Sequence, residues 1–137
     1  MRRSYVLAIS IFVPLVFAVP VLAQQATEEK PRPKATAKQE AKMKSRLRAA
    51  DLERMSNYGP LLPRKAYEAL LGDLEAYDYS PRIRWRAYNG YGLALMIARD
   101  KEKAIEAFTR AVEASASVGT REKEESQSNL QRAREME

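Results

Sequence analysis

The 137-residue chain contains neither cysteine nor histidine. Without cysteine there is no disulfide, no thiol nucleophile and no lipid attachment of the bacterial lipoprotein kind, so stability has to come from packing. Without histidine the usual acid–base side chain of neutral pH is missing, along with Ser-His and Cys-His nucleophile pairs. Almost every zinc site is excluded by the two absences together. Glycine is scarce, five in all, yet Gly90 and Gly92 stand one residue apart. No segment shows sustained period-two alternation of β-branched residues, which argues against a sheet.

A long apolar run occurs at the N-terminus. Arg2 and Arg3 precede an uncharged stretch from Tyr5 to Val19, Pro20 ends it, and Val21-Leu22-Ala23 supplies small residues at the −3 and −1 positions of a cleavage site. This pattern predicts a secretory signal peptide over 1–23. The competing reading is an uncleaved membrane anchor, for which the run is marginal in length. Pro14, Pro20 and the small-residue site favour cleavage. The expected product is exported, to the periplasm in a Gram-negative cell and otherwise secreted, with no stable membrane anchor after cleavage.

The formal charge is +6 and unevenly placed. Residues 24–48 carry eight basic and three acidic side chains, whereas the rest of the mature chain is close to neutral. Residues 24–41 hold no large apolar side chain and predict a flexible basic linker, because such a segment buries too little surface to offset its ordering entropy. It acts either as a spacer or as an arm touching an anionic surface; short charge runs are usually solvated, which favours the spacer.

Residues 42–137 predict an all-α domain of about five helices. Lys42 to Asn57 carries Met43, Leu47, Ala50 and Met55 and is stopped by Tyr58-Gly59-Pro60. Pro63 suits the first turn of a second helix whose Tyr67, Leu70, Leu71, Leu74 and Tyr77 make one buried stripe. Ser80-Pro81 predicts the N-cap and first residue of a third helix. Ala87, Tyr88, Tyr91, Ala94, Leu95 and Ala98 form its inner face. Asp100 caps a fourth, with Ala104, Ile105, Phe108, Ala111 and Val112 inward. Thr120 to Met136 is mostly charged and predicts either a cap on the core or a frayed end. Short turns make neighbouring helices antiparallel, leaving a closed bundle and a stack of helical hairpins as competing architectures.

Tyr88-Asn89-Gly90-Tyr91-Gly92 bears on that choice. Two glycines inside a helix cost about 2 kcal/mol of propensity, which close packing against another helix offsets. Here the chain resembles a tetratricopeptide repeat, on Tyr88, Tyr91, Gly92 and Leu95 in one helix and Ala104, Phe108 and Ala111 in the next. The resemblance covers about residues 85–118 and departs at Ala116, where the repeat usually has proline. It implies a short array of antiparallel helical hairpins, in which Gly92 lets its helix touch the one carrying Ala104. The resemblance leaves Gly90 unexplained. The chain is also similar, through Ser80-Pro81 and Lys103 to Phe108, to small exported repeat proteins of Gram-negative bacteria, some associated with TonB–ExbB–ExbD systems.

A concave face made by the first helix of each hairpin is what the resemblance implies for binding. Its register places Arg86, Asn89, Leu93, Met96 and Ile97 there. Leu93 and Ile97 are apolar, which suits a partner helix or an extended apolar peptide rather than a clamp on a C-terminal carboxylate. The bland alternative is that Leu93, Met96 and Ile97 pack against the last helix. Tyr79 and Trp85, near the second junction, are the better exposed aromatic candidates. No catalytic residue, metal or cofactor is expected: the carboxylates fall on polar helix faces, and a catalytic acid needs a partly dry pocket. Nucleic acid is not expected either, since the basic segment has no aromatic for stacking. The expectation is a non-enzymatic exported adaptor that binds a protein or peptide. The alternative is a structural, envelope-associated bundle whose 24–48 arm holds an anionic surface.

Overall fold

The computed structural model describes residues 31–56, 59 and 61–137. The expected signal peptide and residues 24–30 of the expected linker lie outside the described residues. Five helices follow one another: α1 (Ala37–Met55), α2 (Leu61–Ala76), α3 (Pro81–Ile97), α4 (Lys101–Ser115) and α5 (Thr120–Arg134). The protein is all-α, and no strand longer than an isolated bridge forms among the described residues.

The linker boundary needs correction. Thr36 Oγ1 accepts from the Gln39 N–H at 3.3 Å and Gln39 Oε1 accepts from the Thr36 N–H at 2.7 Å, a capping box that starts α1 at Ala37 rather than Lys42. Just upstream, the Asp78 N–H donates to the Pro33 carbonyl at 2.8 Å and the Ala35 N–H donates to the Asp78 carbonyl at 3.0 Å. The Ser80 N–H then donates to Glu40 Oε1 at 3.2 Å. Residues 33–40 are thus strapped across the turn between α2 and α3 by polar contacts, which a reading based on missing apolar side chains does not register.

The other helix ends follow the expected signals with two refinements. Ser80 and Pro81 do stand at the N-cap and first position of α3, but the Ser80 hydroxyl makes no capping bond; the carboxylate of Glu40 meets its N–H instead. Asp100 caps α4 by accepting from the Lys103 N–H at 3.4 Å. Between α3 and α4, Arg99 sits at φ 56°, left-handed backbone that a glycine would adopt with less strain.

Successive helices pack as antiparallel hairpins. Asp51 and Arg46 of α1 meet Tyr67 and Asp73 of α2, while Tyr88 and Gly92 of α3 face Arg110 and Phe108 of α4. Helices two apart in sequence run side by side and parallel: α1 against α3, and α3 against α5. Among the described residues, the backbones of α1 and α2 stay clear of α4 and α5, and only long side chains reach from α2 to α4. A closed bundle brings its first and last helices together; here the helices form an open array with α3 at its centre.

Two apolar clusters hold the array. Met43 and Leu47 of α1, Tyr67, Leu70 and Leu74 of α2, and Ile83, Ala87 and Ala94 of α3 make the first. Leu95 of α3, Ala104, Ala107 and Phe108 of α4 and Ala133 of α5 make the second. Tyr91 packs against both. Large side chains such as Tyr67, Leu74 and Phe108 are buried completely or nearly so, each worth about 1.5–3 kcal/mol of apolar transfer. Met55, expected inward, is 70% exposed because α1 turns that face away from α2 and α3.

Both central glycines have a packing role. A Cβ on Gly92 would stand 2.6 Å from Phe108 Cε1, so the glycine admits the Phe108 ring and not, as expected, Ala104. A Cβ on Gly90 would stand 2.6 Å from Tyr67 Oη. The two glycines of α3 therefore receive one aromatic ring from α2 and one from α4, the helices on either side of it.

Candidate functional site

The parallel arrangement of α1, α3 and α5 opens a cleft of about 360 Å³ over α3. From α1 it is lined by Lys44, Leu47, Asp51 and Arg54. Helix α3 contributes Arg82, Ile83, Trp85 and Arg86 at the outer end, and Asn89, Gly90 and Leu93 further along. Glu125 closes the α5 side. A smaller cleft of about 200 Å³ shares Arg82, Trp85 and Glu125 and adds Arg121 and Glu122.

Asp51 organises the α1 wall. Its carboxylate accepts from the Tyr67 hydroxyl and from Arg86, whose Nε and Nη2 lie 3.0 and 2.5 Å from Oδ2. Arg54 Nη2 stands 3.9 Å from the other oxygen. Two guanidinium groups thus share one carboxylate. Arg54 Nε is buried with no hydrogen-bond partner. Burial, then the bond to Asp51, pushes the Tyr67 hydroxyl well above the ordinary phenol range.

The α5 wall is held by a polar ladder. Trp85 Nε1–H donates to Ser126 Oγ at 2.8 Å, Arg82 Nη2 approaches Glu122 at 3.3 Å, and Asn89 Nδ2 donates to Glu125 at 3.0 Å. Asn129 Nδ2 donates back to Asn89 Oδ1 at 3.1 Å. These bonds explain how so polar a helix stays docked: Ser126, Asn129 and Ala133 are buried, and its remaining charges face outward.

Of the residues placed on the concave face by sequence, Arg86, Asn89 and Leu93 line the cleft. Asn89 is bonded to α5 on both sides of its amide and is 5% exposed, so it holds the wall. Leu93 also packs on the second cluster. Met96 does so at the end of α3 with Leu130 and Met136, and Ile97 is half-exposed; neither lines the cleft. Tyr79, expected to be exposed, is buried in the first cluster, its ring edge-on to Tyr77. Sequence reading passed over Lys44, Asp51, Arg54 and Arg82, because nothing in a single charged residue shows that α1 lies beside α3.

The repeat-defining residues gather between α3 and α4. Gly92, Leu95, Ala104, Phe108 and Ala111 are buried there. Tyr88 lies 5.7 Å from the Arg110 guanidinium and the Tyr91 hydroxyl donates to Glu68 at 3.2 Å. These two tyrosines floor a cleft of about 250 Å³ on the opposite side of the array. Ion pairs bridge α2 to α4 and its cap: Arg64–Asp100 at 3.2 Å and Arg110–Glu75 at 3.4 Å. Burial, then the charge and hydrogen bond of Glu68, raises Tyr91 to about 12. Arg64 in turn holds Glu68 below the ordinary carboxylate range. The charges on this side are mutually paired; the concave cleft is lined by four cationic residues and two anionic ones, with Glu40 and Glu122 reaching Lys44 and Arg82 from its edges.

No group of three or more acidic side chains among the described residues is arranged to hold a metal ion. No described helix is long and apolar enough to cross a membrane. Comparison of the chain with protein-family models, with curated proteins and with solved structures finds no match.

Proposed function

We propose that this chain is a non-enzymatic, tetratricopeptide-like adaptor, exported from the cytoplasm, that binds a segment of another protein in the cleft over α3. The observation that carries the reading is the cleft itself. Three parallel helices wall it, its floor mixes apolar Ile83 and Leu93 with the half-buried Trp85, and a deep polar network fixes its shape. A preorganised groove of this kind binds without ordering its own walls, which removes one of the entropic costs of association. The hairpin order, with Gly92 seated on Phe108, supports the repeat resemblance. The N-terminal pattern of 1–23 supports export.

Site-specific photo-cross-linking in cells tests this. A photo-cross-linking residue in place of Arg82, which is exposed at the cleft mouth, should yield a discrete adduct. One in place of Glu124, on the outer face of α5, should not. Equal adducts at both positions, or none at Arg82, refute the reading.

A second reading rests on the outer face of α1. Lys38, Lys42 and Arg48 are exposed there, beside Leu52 and Met55, on the side opposite Met43 and Leu47. Basic side chains flanking exposed apolar ones suit an anionic surface. Sedimentation with anionic vesicles, lost at high salt and on replacing the three cations by Gln, is its expected signature; unchanged sedimentation of that variant rules it out.

A further inference from the structure

The cleft's charge state narrows the partner, and this inference rests on the adaptor reading above. Its two carboxylates are already engaged: Asp51 accepts from the Tyr67 hydroxyl and from Arg86, and Glu125 accepts from the buried Asn89 amide. Three of its four cations are held only by long or solvent-open ion pairs. Arg54 Nη2 stands 3.9 Å from Asp51 Oδ1, the oxygen that already accepts from the Tyr67 hydroxyl, so this ion pair is a loose one. Arg82 keeps a single 3.3 Å contact with Glu122 while its side chain is 76% exposed, an ion pair of a kind that contributes little. Lys44 has Glu40 at 3.7 Å, and here too it is the cationic end that is open to solvent, 58% exposed. Beneath these groups lie Ile83, Leu93 and the ring of Trp85.

We infer that the cleft takes an acidic segment of a partner protein, with carboxylate side chains meeting Arg54, Arg82 and Lys44 and one apolar side chain resting on Trp85 and Leu93. A carboxylate entering here gains charge-assisted hydrogen bonds that the array leaves unfilled. A basic segment meets Arg54, Arg82 and Lys44 and finds Asp51 and Glu125 occupied. A volume of about 360 Å³ accommodates a few side chains and is too small for a whole helix or domain, so recognition is of a short stretch.

Trp85 is the protein's one tryptophan and lines the cleft, so its emission reports occupancy directly. The probes are three acetylated, amidated heptapeptides of one apolar pattern, carrying Glu, Gln or Lys at the flanking positions, together with glutarate. The acidic peptide should shift Trp85 emission at concentrations about tenfold or more below those needed for the Gln peptide, and the Lys peptide should not bind. Arg82→Gln and Arg54→Gln should each weaken the acidic peptide about tenfold, beyond what the small fall in urea midpoint from losing the single Arg82–Glu122 contact accounts for. Equal binding of the Gln and Glu peptides overturns the acidic preference and leaves the adaptor reading standing. Glutarate acting as strongly as the acidic peptide makes the cleft a small-anion site and overturns the inference. No response of Trp85 to any probe overturns both.

Discussion

Glycine-to-alanine substitution in this array should change sign with position. Gly72 lies in α2 with nothing within 4 Å of where a Cβ would stand. Gly72→Ala should therefore behave as in any exposed helix and stabilise by about 0.5–1 kcal/mol. At Gly90 the same methyl would stand 2.6 Å from Tyr67 Oη and 2.7 Å from Cε1 and Cζ. Tyr67 has no exposure and its hydroxyl is tied to Asp51, so the ring yields only by breaking that bond or by pushing α2 from α3. Overpacking of this kind costs about 1–3 kcal/mol, and loss of a hydrogen bond to a charged group about 1.5–3 kcal/mol. Set against the propensity gain, Gly90→Ala should destabilise by about 1–3 kcal/mol. Gly92→Ala should do the same against Phe108, whose ring would lie 2.6 Å away. Urea unfolding followed by helical circular dichroism measures all three, and a difference of 1 kcal/mol corresponds to about 4–8 °C in Tm for a domain of this size. Phe108→Leu should relieve part of the Gly92→Ala loss in a double-mutant cycle, with a coupling of about 1 kcal/mol. If Gly90→Ala and Gly92→Ala prove as stable as Gly72→Ala, the account of α3 as a helix cut to receive two rings is refuted.

Ser126→Ala removes the acceptor of the Trp85 indole N–H and should destabilise by about 1 kcal/mol, with faster amide exchange confined to α5; exchange rising equally in α2 would show that the ladder does not act locally. Alkaline pH should weaken the fold through Tyr67 and Tyr91, whose folded-state pKa values are raised above the ordinary 10.0. Their contribution is complete below pH 10 and is lost as pH rises through about 12 for Tyr91 and higher still for Tyr67. Phenolate absorbance should then show late-ionising tyrosines and a falling urea midpoint across that interval; tyrosines that all titrate together near pH 10 would contradict it.

The strap formed by residues 33–40 changes how the N-terminal segment is to be tested. Deleting 24–41 would remove the Thr36 capping box, the pairing with Asp78 and the Glu40 bond to Ser80. Such a variant mixes loss of stability with loss of charge. Neutralising Lys38, Lys42 and Arg48 on the exposed face of α1 leaves those contacts in place.

Sequence by itself determined that the protein is helical, and largely where its helices lie. Apolar spacing in α2 and α4, Pro81 at the start of α3 and Asp100 at the start of α4 are local signals, and local hydrogen bonding and burial obey them. The hairpin of α3 and α4 was legible for the same reason: Gly92, Leu95, Ala104 and Phe108 lie within one short stretch of chain. Helix α3 was harder to read, because it is packed by every other helix and buries Asn89 and Gly90 as well as its apolar residues. The array of hairpins was implied by the repeat resemblance, but tertiary structure alone decided two things: the strap and the composition of the cleft. Arg86 is paired by Asp51, Asn89 by Asn129, and Gly90 is filled by Tyr67, in each case from more than twenty residues away. Partners at that distance leave no periodicity in the sequence, since a charge or an amide on one helix carries no mark of which neighbour will face it.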